Sequence, residues 1–169
     1  MVTNKEREPK AMAKQSRRQK LPYCDGTWFA VPLFQGGYAI GRIVRHTGQG
    51  TLLAYCFAPK HDLIPSLEDV DHLTARDSFK TMLLSDLHIV EGKWPLIGES
   101  STWRREEWPM PRFILRDDIV NAAFIVTYAD DHLLQELPRE RVPYDTLGYD
   151  SSCQYGAAAA ENDLSKALE

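Results

Sequence analysis

The chain lacks the usual signs of cross-linking, metal binding and membrane insertion. Its three cysteines, Cys24, Cys56 and Cys153, are odd in number and form no C-x-x-C pair. That argues against a disulfide framework or a zinc knuckle and fits reduced thiols in a cytoplasm. No apolar run approaches the roughly 18–20 residues of a membrane span, so no membrane association is expected. The basic N-terminus has no apolar core behind it and does not read as a secretory signal. The five histidines, His46, His61, His72, His88 and His132, never fall at H-x-H or H-E-x-x-H spacing. No metal or other cofactor is therefore expected. Phosphate-binding loops, a G-x-G-x-x-G turn and a G-x-S-x-G nucleophile elbow are absent as well.

What is present is an ordinary globular composition, 43% hydrophobic and 26% charged over 169 residues, enough for one domain with a real core. The net charge of −4 conceals an asymmetry: residues 1–20 carry seven Lys/Arg against two Glu, and the remainder thirteen against twenty-two Asp/Glu. An acidic body disfavours nucleic acid, whose phosphates are met by Lys and Arg. It suits a basic protein partner through complementary fields. Residues 1–20, with no aromatic residue, read as a disordered basic leader. Residues 21–145 read as a single β-rich domain, and 146–169 as a tail, partly helical or disordered.

The stretch Thr27–Phe57 organises the domain. Three runs of apolar, β-branched and aromatic residues are separated by Gln35-Gly36-Gly37 and Thr47-Gly48-Gln49-Gly50, the pattern of consecutive hairpins. In the middle run Tyr38, Ile40, Arg42 and Val44 alternate with Ala39, Gly41, Ile43 and Arg45, so both faces carry apolar side chains. Gly41 reads as a bend or bulge, and Pro32 as the point where the first run becomes an edge. Ser66 with Asp69 marks the start of a short helix. Ser78–Leu84 and Leu87–Val90 read as strands, as do Phe113–Arg116 and Ala122–Tyr128. Asp130–Glu136 reads as a brief helix with an Asp N-cap. Residues 99–112, with Trp103, Trp108, Pro109 and Pro111, form an aromatic-pinned loop. The fold class is mainly β (α+β): a curled antiparallel sheet or small partly open barrel with one or two short helices.

No constellation of residues announces a catalyst. Adjacent pairs such as Asp71-His72 point apart on regular elements, and doublets such as Glu106-Glu107 and Asp117-Asp118 are the usual solvated residues of turns. Cys56 sits in an apolar strand and reads as a buried, inert thiol. Trp28, Trp94, Trp103 and Trp108 serve as core or loop anchors, or as a ligand-stacking box.

Taken in order, W-F-A-V-P-L-F-Q-G-G-Y-A-I-G-R-I-V-R, then G-K-W-P-L-I-G, then Trp108-Pro109-Met110-Pro111-Arg112-Phe113 resemble the immunity-protein-26 family of bacterial polymorphic toxin systems. The resemblance covers roughly residues 25–130. It implies a mostly β, non-enzymatic protein that binds and neutralises a cognate toxin domain in the producing cell, and the acidic body suits a basic one. Exposed acidic and aromatic loop residues are then the candidate contact surface: Glu68, Asp69, Asp71, Trp103, Glu106, Glu107, Asp117 and Asp118. Some members of the same grouping carry a phosphotriesterase label, whose usual metal-dependent chemistry needs clustered His and carboxylate ligands. A third reading is a small β-barrel holding a small molecule or peptide in a groove beside Trp94 and Trp103.

Overall fold

The computed structural model of the chain describes residues 20–169, so the expected basic leader lies, Lys20 apart, outside the described residues. The three runs of Thr27–Phe57 become β1 (Thr27–Pro32), β2 (Tyr38–His46) and β3 (Thr51–His61), paired antiparallel in sequence. A helical turn α1 (Leu67–Val70) and a 3₁₀ turn (Ala75–Asp77) lead to β4 (Ser78–Ser85), α2 (Leu87–Val90) and β5 (Leu96–Glu99). After a second 3₁₀ turn (Arg105–Glu107) come β6 (Phe113–Asp117), β7 (Ala122–Val126), β8 (Tyr128–Ala129) and β9 (His132–Glu136). The chain closes with β10 (Glu140–Val142), β11 (Asp150–Ser151), β12 (Gln154–Tyr155) and α3 (Ala157–Ala167).

A six-stranded sheet in the order β12-β4-β3-β2-β1-β5 forms the centre, with a four-stranded sheet β10-β7-β6-β11 and a β8-β9 ribbon beside it. The fold is mainly β, as expected, and the described residues form no closed barrel. The two apolar faces of β2 have a different cause: the central sheet is buried on both sides. Ala39 and Ile43 join Phe29, Trp94 and Leu84 under α3, which contributes Ala157, Ala160 and Leu164. Ile40 and Val44 join Trp28, Phe57 and Leu83 against Trp108, Phe113 and Val126 of the second layer. Each leucine, isoleucine, valine or phenylalanine among them, taken fully out of water, is worth about 1.5–3 kcal/mol before chain entropy is counted.

Several local expectations change. Gly41 marks no bulge; the register shifts fall on either side of it, at Tyr38/Ile40 and Ile43/Arg45. Gly41 instead lies opposite Phe29, whose ring crosses it so closely that an added Cβ would stand 2.5 Å from Cζ. Pro32 does end β1, beyond the reach of β5, which pairs only with Thr27–Phe29. Leu87–Val90 is a helical turn rather than a strand. β3 starts at Thr51, opposite Ser85, so a strand continuing past Ser85 would find no partner. The carbonyl of Asp86 instead accepts from the N–H groups of Ile89 and Val90, and its carboxylate from Tyr23 Oη at 2.6 Å.

Asp130–Glu136 is likewise no helix. Asp130 sits at the β8–β9 turn, its carboxylate drawn to Arg45 and Arg105 instead of capping a helix. At the C-terminus, α3 is fastened to the strands through Ser165, which accepts from Phe34 N at 2.9 Å, and through Glu161. Glu161 Oε1 accepts from Trp94 Nε1 at 2.8 Å and pairs with His88 Nδ1 at 2.9 Å. No helix among the described residues is long and apolar enough to cross a membrane.

Candidate functional site

Strict alternation along β2 would send Arg42 and Arg45 to opposite faces. The bulge between Ile43 and Arg45 brings both to the face that meets the second layer. Arg42 is only 4% exposed, a position an arginine keeps only with compensation. Its guanidinium lies 4.7 Å from the Trp28 ring, 4.9 Å from Trp103 and 4.7 Å from Trp108, so three aromatic faces replace water around the cation. Nε donates to the carbonyl of Gly26 at 3.2 Å. Gly26 has φ +96°, and an added Cβ would stand 2.7 Å from Trp103 Cγ, so this corner suits glycine for both reasons.

Asp71 supplies the countercharge, 3.6 Å from Arg42 Nη2. Its Oδ1 accepts from Trp28 Nε1 at 3.1 Å and its Oδ2 from Ser100 Oγ at 2.9 Å, so the carboxylate is held from two sides. Burial pulls the Arg42 guanidinium below its ordinary pKa, while the carboxylates of Asp71 and Glu107 push it back up. An arginine in such surroundings remains a cation at neutral pH.

Arg42 forms part of the floor of a groove of about 370 Å³, lined further by Asp71, Leu73, Thr74, Glu107 and Trp108. One bank is the segment from α1 to the first 3₁₀ turn. Two matching devices hold it: Ser66 donates from N and Oγ to Asp69 Oδ2, and Thr74 does the same to Asp77 Oδ2. These bonds draw the Asp69 and Asp77 carboxyls below their ordinary pKa, through the Ser66 hydroxyl first in one case and the Thr74 N–H first in the other. The opposite bank is the loop through Thr102, Trp103 and Glu107, beyond which a shallower depression continues over Arg104.

That second bank is anchored from below. Arg45 Nη2 donates to the carbonyl of Trp108 at 3.1 Å and to Asp130 Oδ1 at 2.5 Å, and Arg105 Nη1 reaches Asp25 Oδ2 at 2.9 Å. Tyr55 Oη donates to Pro109 O at 2.5 Å, and burial raises its pKa to about 12.

Of the expected contact residues, Asp71 and Glu107 line this groove, and Trp103 packs on its Arg42 and lines the adjoining depression. Glu68 and Asp69 sit exposed on α1, and Glu106 exposed in the second 3₁₀ turn. Asp117 and Asp118 are separate, at the tip of the β6–β7 hairpin. There Asp117 Oδ1 accepts from Ile119 N, and Asp118 accepts from the Tyr144 hydroxyl. Trp94 is also elsewhere: it is fully buried on the α3 side of the sheet, stacked on Phe29 at 5.9 Å. A groove shared by Trp94 and Trp103 is therefore ruled out, since the two lie on opposite faces. Arg42 itself was missing from the expected set, although an arginine inside an apolar strand is a visible signal. Among the described residues, no three His, Cys, Asp or Glu side chains gather to hold a metal ion.

These features define a mainly β protein whose central sheet carries a groove with a buried, tryptophan-packed arginine in its floor. The model of the family described as Immunity protein 26 matches residues 24–124, a span that includes Gly26, Trp28, Arg42, Asp71, Trp103, Glu107 and Trp108. The chain belongs to that family. No curated protein and no solved structure matches it significantly.

Proposed function

We propose that this protein binds a cognate bacterial toxin domain and neutralises it by occlusion, with no chemical step of its own. Family membership carries the reading. The groove bordered by Asp71, Trp103 and Glu107, with Glu68, Asp69 and Glu106 near it, is the proposed contact surface. Aromatic anchors and well-held charges of this kind dominate the energy of protein interfaces. The excess of Asp and Glu beyond residue 20 suits a basic toxin domain and would speed its capture.

The test is to co-express this chain with the C-terminal domain of any large protein encoded beside it. That domain alone should stop growth; with this chain present, growth should return and the two should co-purify. Reversing charge at Glu106 and Glu107 together should slow association and weaken the complex by about tenfold or more, with loss of its salt dependence. A neighbour that is not toxic, or a toxin neutralised equally well by the charge-reversed chain, removes the support for this surface.

A further inference from the structure

A guanidinium carries five N–H donors. Arg42 directs Nε to Gly26 O, and its Nη2 stands 3.6 Å from Asp71, beyond good hydrogen-bond length. Neither Nη donates a hydrogen bond to another described residue. No buried side-chain nitrogen or oxygen among the described residues lacks a partner, so these Nη atoms are the part of Arg42 that opens on the groove. The fold thus holds a nine-tenths buried cation between three tryptophans and leaves its terminal donors facing outward.

The charges around those donors select what they take. The groove and its rim hold two guanidiniums and two carboxylates, Arg42 beside Asp71 at 3.6 Å and Arg104 beside Glu107 at 2.7 Å, so their charges balance, and an incoming carboxylate would meet Asp71 and Glu107. An incoming ammonium or guanidinium would meet Arg42. An apolar group would cover the Nη donors without pairing them, which is costly. A neutral group with an acceptor and donors side by side satisfies both signs. We propose that the groove receives the side-chain carboxamide of an asparagine or glutamine on the partner protein. Its carbonyl oxygen accepts from Arg42, and its N–H₂ donates to Glu107. The identity of the partner rests on the immunity reading; the amide chemistry rests on the groove alone. A side chain fits better than main chain because a primary carboxamide presents its carbonyl oxygen and an N–H on the same side, whereas a trans peptide bond points them in opposite directions.

The test uses the full chain labelled with ¹⁵N and titrated separately with acetamide, acetate and N-methylacetamide. Acetamide should shift the Arg42 guanidinium and the Trp103 and Trp108 indole signals saturably. Acetate should not, and N-methylacetamide should bind at least several-fold more weakly. Glu107→Gln, at an exposed position whose pair with Arg104 is screened by solvent, should weaken acetamide by about tenfold, the value of a hydrogen bond to a charged group. The assignment is overturned by no saturable shift with acetamide, by acetate binding as well as acetamide, or by an unchanged response in Glu107→Gln. N-methylacetamide binding as tightly as acetamide overturns the choice of a side-chain group. A toxin fully neutralised while acetamide leaves Arg42 unmoved refutes the carboxamide and spares the immunity reading. Acetamide bound by a chain that neutralises no toxin does the opposite.

Discussion

Arg42 and Arg45, three residues apart on β2, hold the same tryptophan from two directions: Arg42 lies 4.7 Å from the Trp108 ring, and Arg45 donates to its carbonyl at 3.1 Å. The bulge between Ile43 and Arg45 makes this possible, because an unbroken strand would turn one of the two away. The groove floor and its outer bank are therefore set by one short stretch of strand. Asp130 completes the arrangement by pairing with both Arg45 and Arg105.

That pairing makes stability depend on pH. The hydrogen bond from Arg45, with that from Arg105, holds the Asp130 carboxyl below its ordinary pKa. A group with a depressed folded pKa contributes stability above its unfolded value, about 3.9, and loses it as pH falls through the folded value. Asp130→Asn should therefore be less stable than the native chain at neutral pH, by about 1 kcal/mol because the carboxylate is largely exposed and screened. The gap should close in acid. Urea unfolding of both chains from neutral pH down to about 3 reads it; a gap that is constant or widens as pH falls contradicts the assignment.

Gly41 and Phe29 make a second, independent pair. With the Phe29 ring 2.5 Å from where a Cβ would stand, Gly41→Ala should cost about 1–3 kcal/mol by overpacking. Phe29→Leu alone also destabilises, by opening space beside Trp94. The double variant should be more stable than the sum of the two losses predicts. Strict additivity in a double-mutant cycle would mean that the ring does not dictate the glycine.

The meander was legible in the sequence because two signals coincide there: β-branched and aromatic runs, and glycine turns between them. The capped start of α1 was legible for a similar reason, since Ser66 and Asp69 are local to each other. Leu87–Val90 and Asp130–Glu136 differ from the sequence expectation because segments of four and seven residues take their conformation from available partners. Leu87–Val90 finds no strand to pair with, and Asp130 is claimed by Arg45, 85 residues away in sequence. The groove was legible only in pieces. Asp71, Trp103 and Glu107 look like ordinary loop residues until a sheet brings them to Arg42. The bulge that orients Arg45 has no glycine to announce it, and nothing in the spacing of Trp94 and Trp103 says that a sheet separates them.

The thiols offer a direct check on burial. Cys56 is buried in β3, and desolvation raises its pKa to about 12, whereas Cys24 and Cys153 are exposed. Thiolate is the reactive form, so a neutral aromatic disulfide reagent at pH 8 should titrate Cys24 and Cys153 in the native chain and reach Cys56 only on unfolding. Prompt reaction of all three cysteines would show that β3 opens locally at low cost.

The last prediction concerns how α3 is held. Glu161 Oε1 is shared by Trp94 Nε1 and His88 Nδ1, and α3 covers the face where Trp94 stacks on Phe29. Glu161→Ala removes the acceptor and leaves the buried indole N–H unpaired, at a cost of about 1–3 kcal/mol. Glu161→Gln keeps a carbonyl oxygen in reach and should recover most of that loss. The readout that separates a lost hydrogen bond from a general loss of packing is hydrogen exchange at Trp94 Nε1, which should quicken in Glu161→Ala well before global unfolding and stay slow in Glu161→Gln. Equal exchange in both variants would mean that α3 is held by its apolar side chains alone, with Ala157, Ala160 and Leu164 sufficient to keep the sheet covered.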